Sequence, residues 1–588
     1  VNADASDALG PVLTRILWNR LISIVDEAAT GLVRTAYSMV VRDFHDYCVA
    51  IFDARGNMLA HSTKSTPGFI GIMPPVMRNF LSVHLPETLH EGDVLVTNDP
   101  WLATSHLLDI SVAAPIFHQG RIVAFAVCVV HHLDIGGRMA SIDSRDMYEE
   151  GLKIPILKLY EAGRRNDTVL AFVAANVRSA DRVQGDLRSQ VIATNVCAGG
   201  IRRMISEYRF SDLDALGDAI MGLAERSLRQ RISALPDGTY RHALRLPPVG
   251  ARQVSIELVL SLEVRGDELV FDYTGSSPEV EAAVNVALPM TVSYSVYPTK
   301  CALDPGVPHN QGCLRPIRVV VPEGSVLNCR PPAPTWGRSI VSHALPELVF
   351  GALVEALPER TIAGCGSTPL TLFTMSGKRR DGERFHAVAS HIGGFGASAE
   401  QDGAPCLPFP NNTAVIPVEV IESETCLLYE KKELAIDTGG PGRRRGGVGE
   451  RMVLRVPDGA HAPPEPVTTS IRGWNRAPDS SFPVVGLRGG LSGRGCALRI
   501  NGEARPHNQV HRLSSGDVIE LDMPGGGGFG DPLDREPELV LADVRAGVVS
   551  HEAARSDYGV VLLPHADAVD SSATTQLRRS VRETQPGR

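Results

Sequence analysis

The residues NDPWLATSHLLDISVAAPIFHQGRIVAFAVCVVHHLDIGG, Asn98 to Gly137, set the reading of the whole chain. A turn-like Asn-Asp-Pro leads to His106 and Asp109, which open the extended apolar segment ending at Phe117. The valine-rich run 122–130 then reads as a buried strand, and it ends on His131-His132, Asp134 and Gly136-Gly137. Imidazoles and carboxylates at the ends of neighbouring strands are what a divalent metal site needs. Side chains alternate between the faces of a strand, so only one of the adjacent histidines can point at such a site. The other must serve as an outer hydrogen-bond partner or a substrate contact. Asp99 and Asp134 are candidate carboxylates for orienting the imidazoles. The plain alternative is a set of polar strand ends with satisfied histidines.

Working outward, residues 11–38 carry Leu13, Ile16, Leu17, Leu21, Ile24, Ala28 and Leu32 at helical spacing, with Pro11 suited to a first turn. Residues 47–53 and 58–61 read as strands joined by the turn ARGN, and Asp46 lies at the mouth of the first. A glycine- and proline-rich loop, a helix over 75–85 and a short strand at 94–97 lead back to the opening stretch. Residues 144–236 read as mostly helical, with segments at 168–178, 182–208 and 212–234. From Gly238 the pattern turns to strands at 240–246, 254–264 and 268–273. A helix-like stretch over 278–297, a strand at 317–321 and a helix over 345–357 follow. Residues 437–535 are rich in glycine and in strand patterns, as in a β-sandwich or barrel. GGGGFGDP at 525–532 resembles phosphate-cradle material but lacks the Lys-Ser/Thr of a P-loop, so its nucleotide signal is weak.

The expected fold class is α+β and multidomain. An unstructured N-terminus covers 1–9, a metal-binding α/β region with a helical segment 10–236, and an α+β middle domain 237–436. A β-rich domain with short C-terminal helices covers 437–562, and an unstructured tail 563–588.

Composition narrows the function. A net charge of -9 over 588 residues gives no basic face for nucleic acid. The Arg443-Arg444-Arg445 cluster lies in a glycine-rich loop, where solvation is the ordinary fate of such charges. The 10 cysteines form no CxxC, and several sit in apolar runs, as expected of free thiols in a reducing compartment. With Asp4 and Asp7 and no apolar core after them, residues 1–10 are not expected to be a signal peptide, and no run approaches the ~18–20 apolar residues of a membrane span. A cytoplasmic protein is expected. No GxSxG occurs, and Cys128, between Val127 and Val129, lacks an activating context.

The opening stretch closely resembles the B-type subunits of the hydantoinase/oxoprolinase family. The likeness continues through SRDMYEEGLKIPILKLY, NVALPMTVSYSVYPTKCALDPGVPHNQGCLRPI, DTGGPGRRRGGVGE and GGGGFGDPLDREPELVLADVRAGVVSHEAARSDYGVVL, covering roughly residues 10–562. The resemblance implies a heteromer with an A-type partner that carries the ATP and its Mg2+. It also implies a divalent metal held by Asp46, His106, Asp109 and His131, a set of two imidazoles and two carboxylates that fits Zn2+, Mn2+ or Fe2+ alike. Leu108 stands where many hydantoinase-type members have proline, Trp101 where tyrosine is frequent, and TPGFIGIMPPVMRNFL is similar to the carboxylase-like branch.

Three functions compete. The first is an ATP-dependent cyclic amidohydrolase, with His132 or Asp134 as general base or water-orienting group. The second is a subunit of an ATP-dependent ketone carboxylase, and the third a non-catalytic scaffold. The expected substrate is a small cyclic amide or a ketone.

Overall fold

The computed structural model describes residues 10–138, 142–250, 252–474, 476, 478–563 and 568–584. The N-terminal segment 1–9, expected to be unstructured, lies outside them.

The valine-rich run becomes an interior strand of a seven-stranded antiparallel sheet. Its strands are β1 (Tyr47–Asp53), β2 (Met58–His61), β3 (Val94–Thr97), β4 (Asp109–His118), β5 (Arg121–His131), β6 (Leu157–Glu161) and β7 (Arg164–Arg165). Their order is β2-β1-β5-β4-β3-β6-β7. β5 lies inside the sheet because both of its faces are apolar: Val123, Val127, Val129 and Val130 are buried completely or nearly so. Burial of each such side chain contributes roughly 1.5–3 kcal/mol. Helices Pro11–Thr35 and Ala180–Tyr208 pack on each other and on this sheet. Helix Pro67–Val83 covers the other face, where Cys48 Sγ of β1 lies 3.6 Å from Met73 Sδ.

That last helix begins well before the position 75 expected from the sequence. The glycines and prolines that suggested a loop are inside it, and the reason is packing. Helix Leu288–Leu303 crosses so closely that a Cβ on Gly71 would come within 2.7 Å of the Ser293 backbone. The crossing helix is itself shifted relative to the expected 278–297, beginning only at Leu288.

Helix Leu345–Leu353 backs Leu288–Leu303 and rests on a second sheet: β8 (Gly238–Val249), β9 (Val254–Arg265), β10 (Glu268–Asp272) and β11 (Ile317–Val320), in the order β11-β10-β9-β8. One hydrophobic cluster runs through both sheets and the helices between them. The boundary expected near 236 therefore does not interrupt the core.

The remaining strands are β12 (Thr371–Lys378), β13 (Arg384–His391), β14 (Leu428–Leu434), β15 (Glu450–Arg455), β16 (Val467–Arg472), β17 (Ala497–Ile500), β18 (Glu503–Ala504), β19 (Val510–Leu513) and β20 (Val518–Asp522). The chain passes back and forth between two antiparallel sheets, β13-β12-β16-β19 and β14-β15-β20-β17-β18, around a second core. The boundary expected at 436/437 crosses this pair of sheets, since β14 pairs with β15 and β12 with β16. Phe44 and Leu133, which flank the ends of β1 and β5, belong to this second core. The metal-type cluster at those strand ends thus sits where the two cores meet.

The glycine run 525–528 is no phosphate cradle. Gly526 donates to Gly447 O at 2.8 Å, Gly440 donates to Gly526 O at 2.7 Å, and Gly527 donates to Gly364 O at 2.8 Å. A Cβ on Gly446 would overlap the carbonyl of Gly526, and one on Gly394 the carbonyl of Gly447. These segments pack backbone against backbone, which only glycine permits.

The tail also differs from expectation. Ser571–Thr584 is a helix, joined to the body by Arg578, which donates to Tyr558 O and Arg535 O, and by the ion pair Arg582–Asp534. It docks through guanidinium groups rather than an apolar stripe, so its residues show no apolar period.

Candidate metal centre

Strand register builds the site. Asp109 of β4 pairs with His131 of β5, and the His131 N–H donates to Asp46 O at 3.0 Å, just before β1. Asp46, His131 and Asp109 therefore stand side by side at three adjacent strand ends. They share the face of Cys48, toward helix Pro67–Val83. His106 comes from the turn before β4.

His106 Nε2 and His131 Nδ1 each lie 2.8 Å from the same Asp109 oxygen, Oδ1. The three side chains bring one ligand atom each to within 4.8 Å of one another, and all three are buried or nearly so. His106 Nε2 is out of solvent contact and makes no aligned hydrogen bond, despite its closeness to Asp109. Two ligands of one metal ion adopt that relation: close together, each aimed at a common third point. The other imidazole nitrogen of His106, Nδ1, lies 3.2 Å from Trp336 O. A carbonyl there takes the ring N–H and leaves Nε2 as the lone-pair nitrogen.

Electrostatics favours the ligating forms. Burial, aided by the Arg338 charge, pushes the His106 imidazole down to about 3, so it is neutral at ordinary pH. Burial by itself would raise the Asp109 carboxyl, but His106, Arg338 and the hydrogen bonds it accepts hold it well below the usual carboxylate range. Arg338 donates to Asp109 Oδ2 at 2.6 Å and to Thr104 O at 2.8 Å, leaving Oδ1 for the cluster. Asp46 lines the same cavity, accepts from Thr66 Oγ1 at 2.9 Å, and is shifted upward by burial, which His131 offsets only in part.

The residues expected as general base are placed differently. His132, one residue on, faces helix Ala180–Tyr208, where its Nε2 lies 3.1 Å from Gln190 Oε1. It is completely buried, on the opposite face of β5 from the cluster. Asp134 borders a cavity beside His131, but its oxygens are taken. Oδ1 accepts from Gly136 N at 2.9 Å and Oδ2 from Ser179 N at 3.0 Å, with Arg178 contributing its backbone and side-chain N–H groups. It fixes the loop after β5 and has no free lone pair to take a proton. Asp99 accepts from Trp101 N and pairs with Lys153, so it does not orient an imidazole.

Sequence reading missed Arg338, Trp336, Thr66, Glu150 and Arg472. Glu150 accepts from Thr335 N at 2.8 Å and Trp336 N at 2.9 Å, holding the loop whose carbonyl orients His106. Burial pushes its carboxyl up to about 7. Arg472, at the end of β16, lies with its guanidinium 4.9 Å from the centre of the Trp336 ring. It lines both cavities that border His131. Burial lowers it to about 9, which leaves it cationic at neutral pH. A roomier apolar cavity of ≈ 400 Å³, lined by Trp18, His61, Tyr297 and His309, gathers no comparable set of ligating groups.

Residues 10–532 match the family described as Hydantoinase B/oxoprolinase, and the chain belongs to that family. It is 30% identical, over 97% of its length and 98% of the relative's, to a Pseudomonas sp. (strain NS671) protein described provisionally as a B-type component of a D-/L-hydantoinase. It is 29% identical to the caprolactamase subunit beta of Pseudomonas jessenii, covering 95% of this chain and 97% of the relative. The crystal structure of ATP-dependent caprolactamase from Pseudomonas jessenii superposes with a TM-score of 0.87 at 28% identity, over 97% of this chain and 99% of that one. The nucleotide-free structure of acetone carboxylase shares the fold, with a TM-score of 0.84 at 21% identity over 99% of this chain and 84% of that one.

Proposed function

We propose, from membership in this family, that the chain is the metal-binding catalytic subunit of an ATP-dependent cyclic amidohydrolase. It would open hydantoin-, lactam- or oxoproline-type rings together with an ATP-binding A-type partner subunit, in the cytoplasm. The observation that carries this reading is the convergence of His106 Nε2, Asp109 Oδ1 and His131 Nδ1. Two imidazoles and a carboxylate with room for further ligands form the pattern of a catalytic divalent site, open to Zn2+, Mn2+ or Fe2+. Asp46, on the wall of the same cavity, is the proposed fourth ligand. A divalent ion bound there would lower the pKa of its water and polarise a developing oxyanion.

The chain's own residues prepare that chemistry. Trp336 O sets the His106 tautomer, and Arg338 locks Asp109 in its ionised form. Phe44, Phe69 and Leu372 line the cavity and keep bulk water from the cluster, which strengthens every charge interaction inside it. An amide is a poor electrophile, and phosphorylation of its oxygen on the ATP-binding subunit would make the ring carbon attackable.

The test is turnover of the chain with its partner on hydantoin, caprolactam and 5-oxoproline, with metal content measured on the same preparation. Ring opening that consumes ATP and water, needs no bicarbonate and disappears with the metal is the expected result. Stoichiometric incorporation of bicarbonate would move the chain to carboxylation. Full activity without metal would make it a scaffold.

A further inference from the structure

Arg472 is an unusual side chain in this molecule. Five arginines are buried among the described residues: Arg338, Arg445, Arg472, Arg476 and Arg535. Four of them have a carboxylate partner. Arg338 pairs with Asp109, Arg445 with Asp543, Arg476 with Glu347, and Arg535 with Asp402 and Asp543. Arg472 is only 7% exposed, and among the described residues no carboxylate lies within ion-pair distance of it. Its Nε makes no hydrogen bond either. Asp46 and Asp109 act on it only from beyond ion-pair distance. A buried cation with no direct counter-ion is costly, and a ligand that supplies a paired negative charge offsets that cost.

The surroundings indicate what kind of ligand. Arg472 and His131 both line the two cavities that flank the metal-type cluster, so the guanidinium and the cluster face shared space. The Arg472 guanidinium carbon lies 4.9 Å from the centre of the Trp336 ring, and Arg472 and Trp336 line the same cavity. His386, across the cavity on β13, has a buried Nδ1 with no partner. Thr374 and Ser470 add short polar side chains to the same wall. With a divalent ion on His106, Asp109 and His131, the positive charges of the ion, Arg138, Arg338 and Arg472 exceed the negative charges of Asp46, Asp109, Asp134 and Glu150 around the two cavities. A guanidinium fork beside a metal is suited to a multiply charged oxyanion.

We propose that Arg472, Trp336 and His386 form a phosphoryl-binding subsite next to the metal cluster, which grips the phosphoryl group of an activated substrate while the cluster faces its reacting carbon. The subsite rests on the proposed function for the identity of that substrate, but its anion chemistry stands on Arg472 itself. It predicts that the molecule reaching this chain from the ATP-binding partner is already an anion, whereas the ring amide that enters the complex is neutral.

The experiment is calorimetric titration of the full-length chain with inorganic phosphate, metal-free and metal-loaded, with bicarbonate and acetate as competitors. Phosphate should bind in both states, more tightly with metal, and in preference to the singly charged anions. Arg472→Gln should weaken phosphate binding about thirtyfold, the scale of lost hydrogen bonds to a charged group. Metal content should stay unchanged and the thermal unfolding midpoint should not fall, since a costly buried charge is removed, and Arg472→Lys should recover part of the affinity. Unaltered phosphate binding in both variants would overturn the subsite. Bicarbonate displacing phosphate at equal concentration would overturn its phosphoryl character, a readout on the unmodified chain that survives any folding defect of the variants. No cyclic amide or partner enters the titration. Phosphate binding through Arg472 without ring opening would therefore remove the proposed function alone, and ring opening without phosphate binding would remove the subsite alone.

Discussion

His131 and His132 are neighbours on one strand end, yet they lie in two different proteins as far as chemistry is concerned. On one face His131 meets Asp109, His106 and a cavity. On the other His132 meets Gln190 in a sealed layer between sheet and helix. Both are imidazoles with polar partners. What separates them is whether the partners leave lone pairs pointing at open space. Around His131 three ligand atoms converge, while His132 has the Gln190 amide and the nearby Asp186 carboxylate for company, both on the helix it packs against. Proximity in sequence to a reactive residue therefore says little about sharing its role, because the pleat sends alternate residues into different surroundings.

The widest separation between the two faces should come from replacing each histidine in turn. His131→Ala is expected to lose bound metal and to reduce turnover of the assembled enzyme by roughly a hundred- to a thousandfold, the scale seen when a group stabilising developing charge is removed. His132→Ala should keep its metal and instead destabilise the fold by about 2–3 kcal/mol, through the cavity and the unpaired Gln190. Elemental analysis and urea unfolding of the two variants decide it, and loss of metal in a folded His132 variant would erase the distinction. A finer division lies within the reactive face. Asp46→Asn keeps the shape and removes the charge of the proposed fourth ligand, and should weaken metal affinity by about a hundredfold or more, beyond the loss expected for a group that only supports a ligand. An affinity equal to that of the unmodified chain would confine the ligand set to His106, Asp109 and His131.

The smallest expected effect concerns the loop behind the cluster. Glu150 titrates at about 7 in the folded chain because burial disfavours its charge. Its folded value lies above the ordinary carboxyl value, so the stability gained from keeping it protonated is complete below the ordinary value. That stability is lost as pH rises through about 7. Glu150→Gln retains an acceptor for Thr335 N and Trp336 N and should flatten this slope, worth on the order of 2 kcal/mol. Unfolding free energies measured from pH 4 to 8 would show it, and parallel slopes for the two proteins would refute the assignment.

The strand pattern around 98–137 was readable because a buried antiparallel strand leaves an apolar run with polar ends, and both β4 and β5 do so. Strand alternation also required one histidine of the pair to turn away from the site, and His132 does. The partners were not readable. Gln190, Arg178, Trp336, Arg338 and Arg472 reach these strand ends from helices, loops and a strand far along the chain, and nothing in their local sequence announces a buried destination. For the same reason Asp134 looked like a free carboxylate: its backbone donors, Arg178 and Ser179, lie across a loop and a helix. The helix from Pro67 was hidden because its glycines answer to Ser293 and Tyr294, not to a turn.

The glycine layer around 525–528 carries a different kind of message. Each residue there is dictated by the carbonyl it must lie against, so the spelling of that stretch records a spatial constraint and nothing about a reaction. A descendant that had lost His106, Asp109 and His131 would still need Gly394, Gly446 and Gly526 to fold. A segment that shares in the likeness to the family is thus silent on whether the chain still works. Questions of activity have to be put to the strand ends.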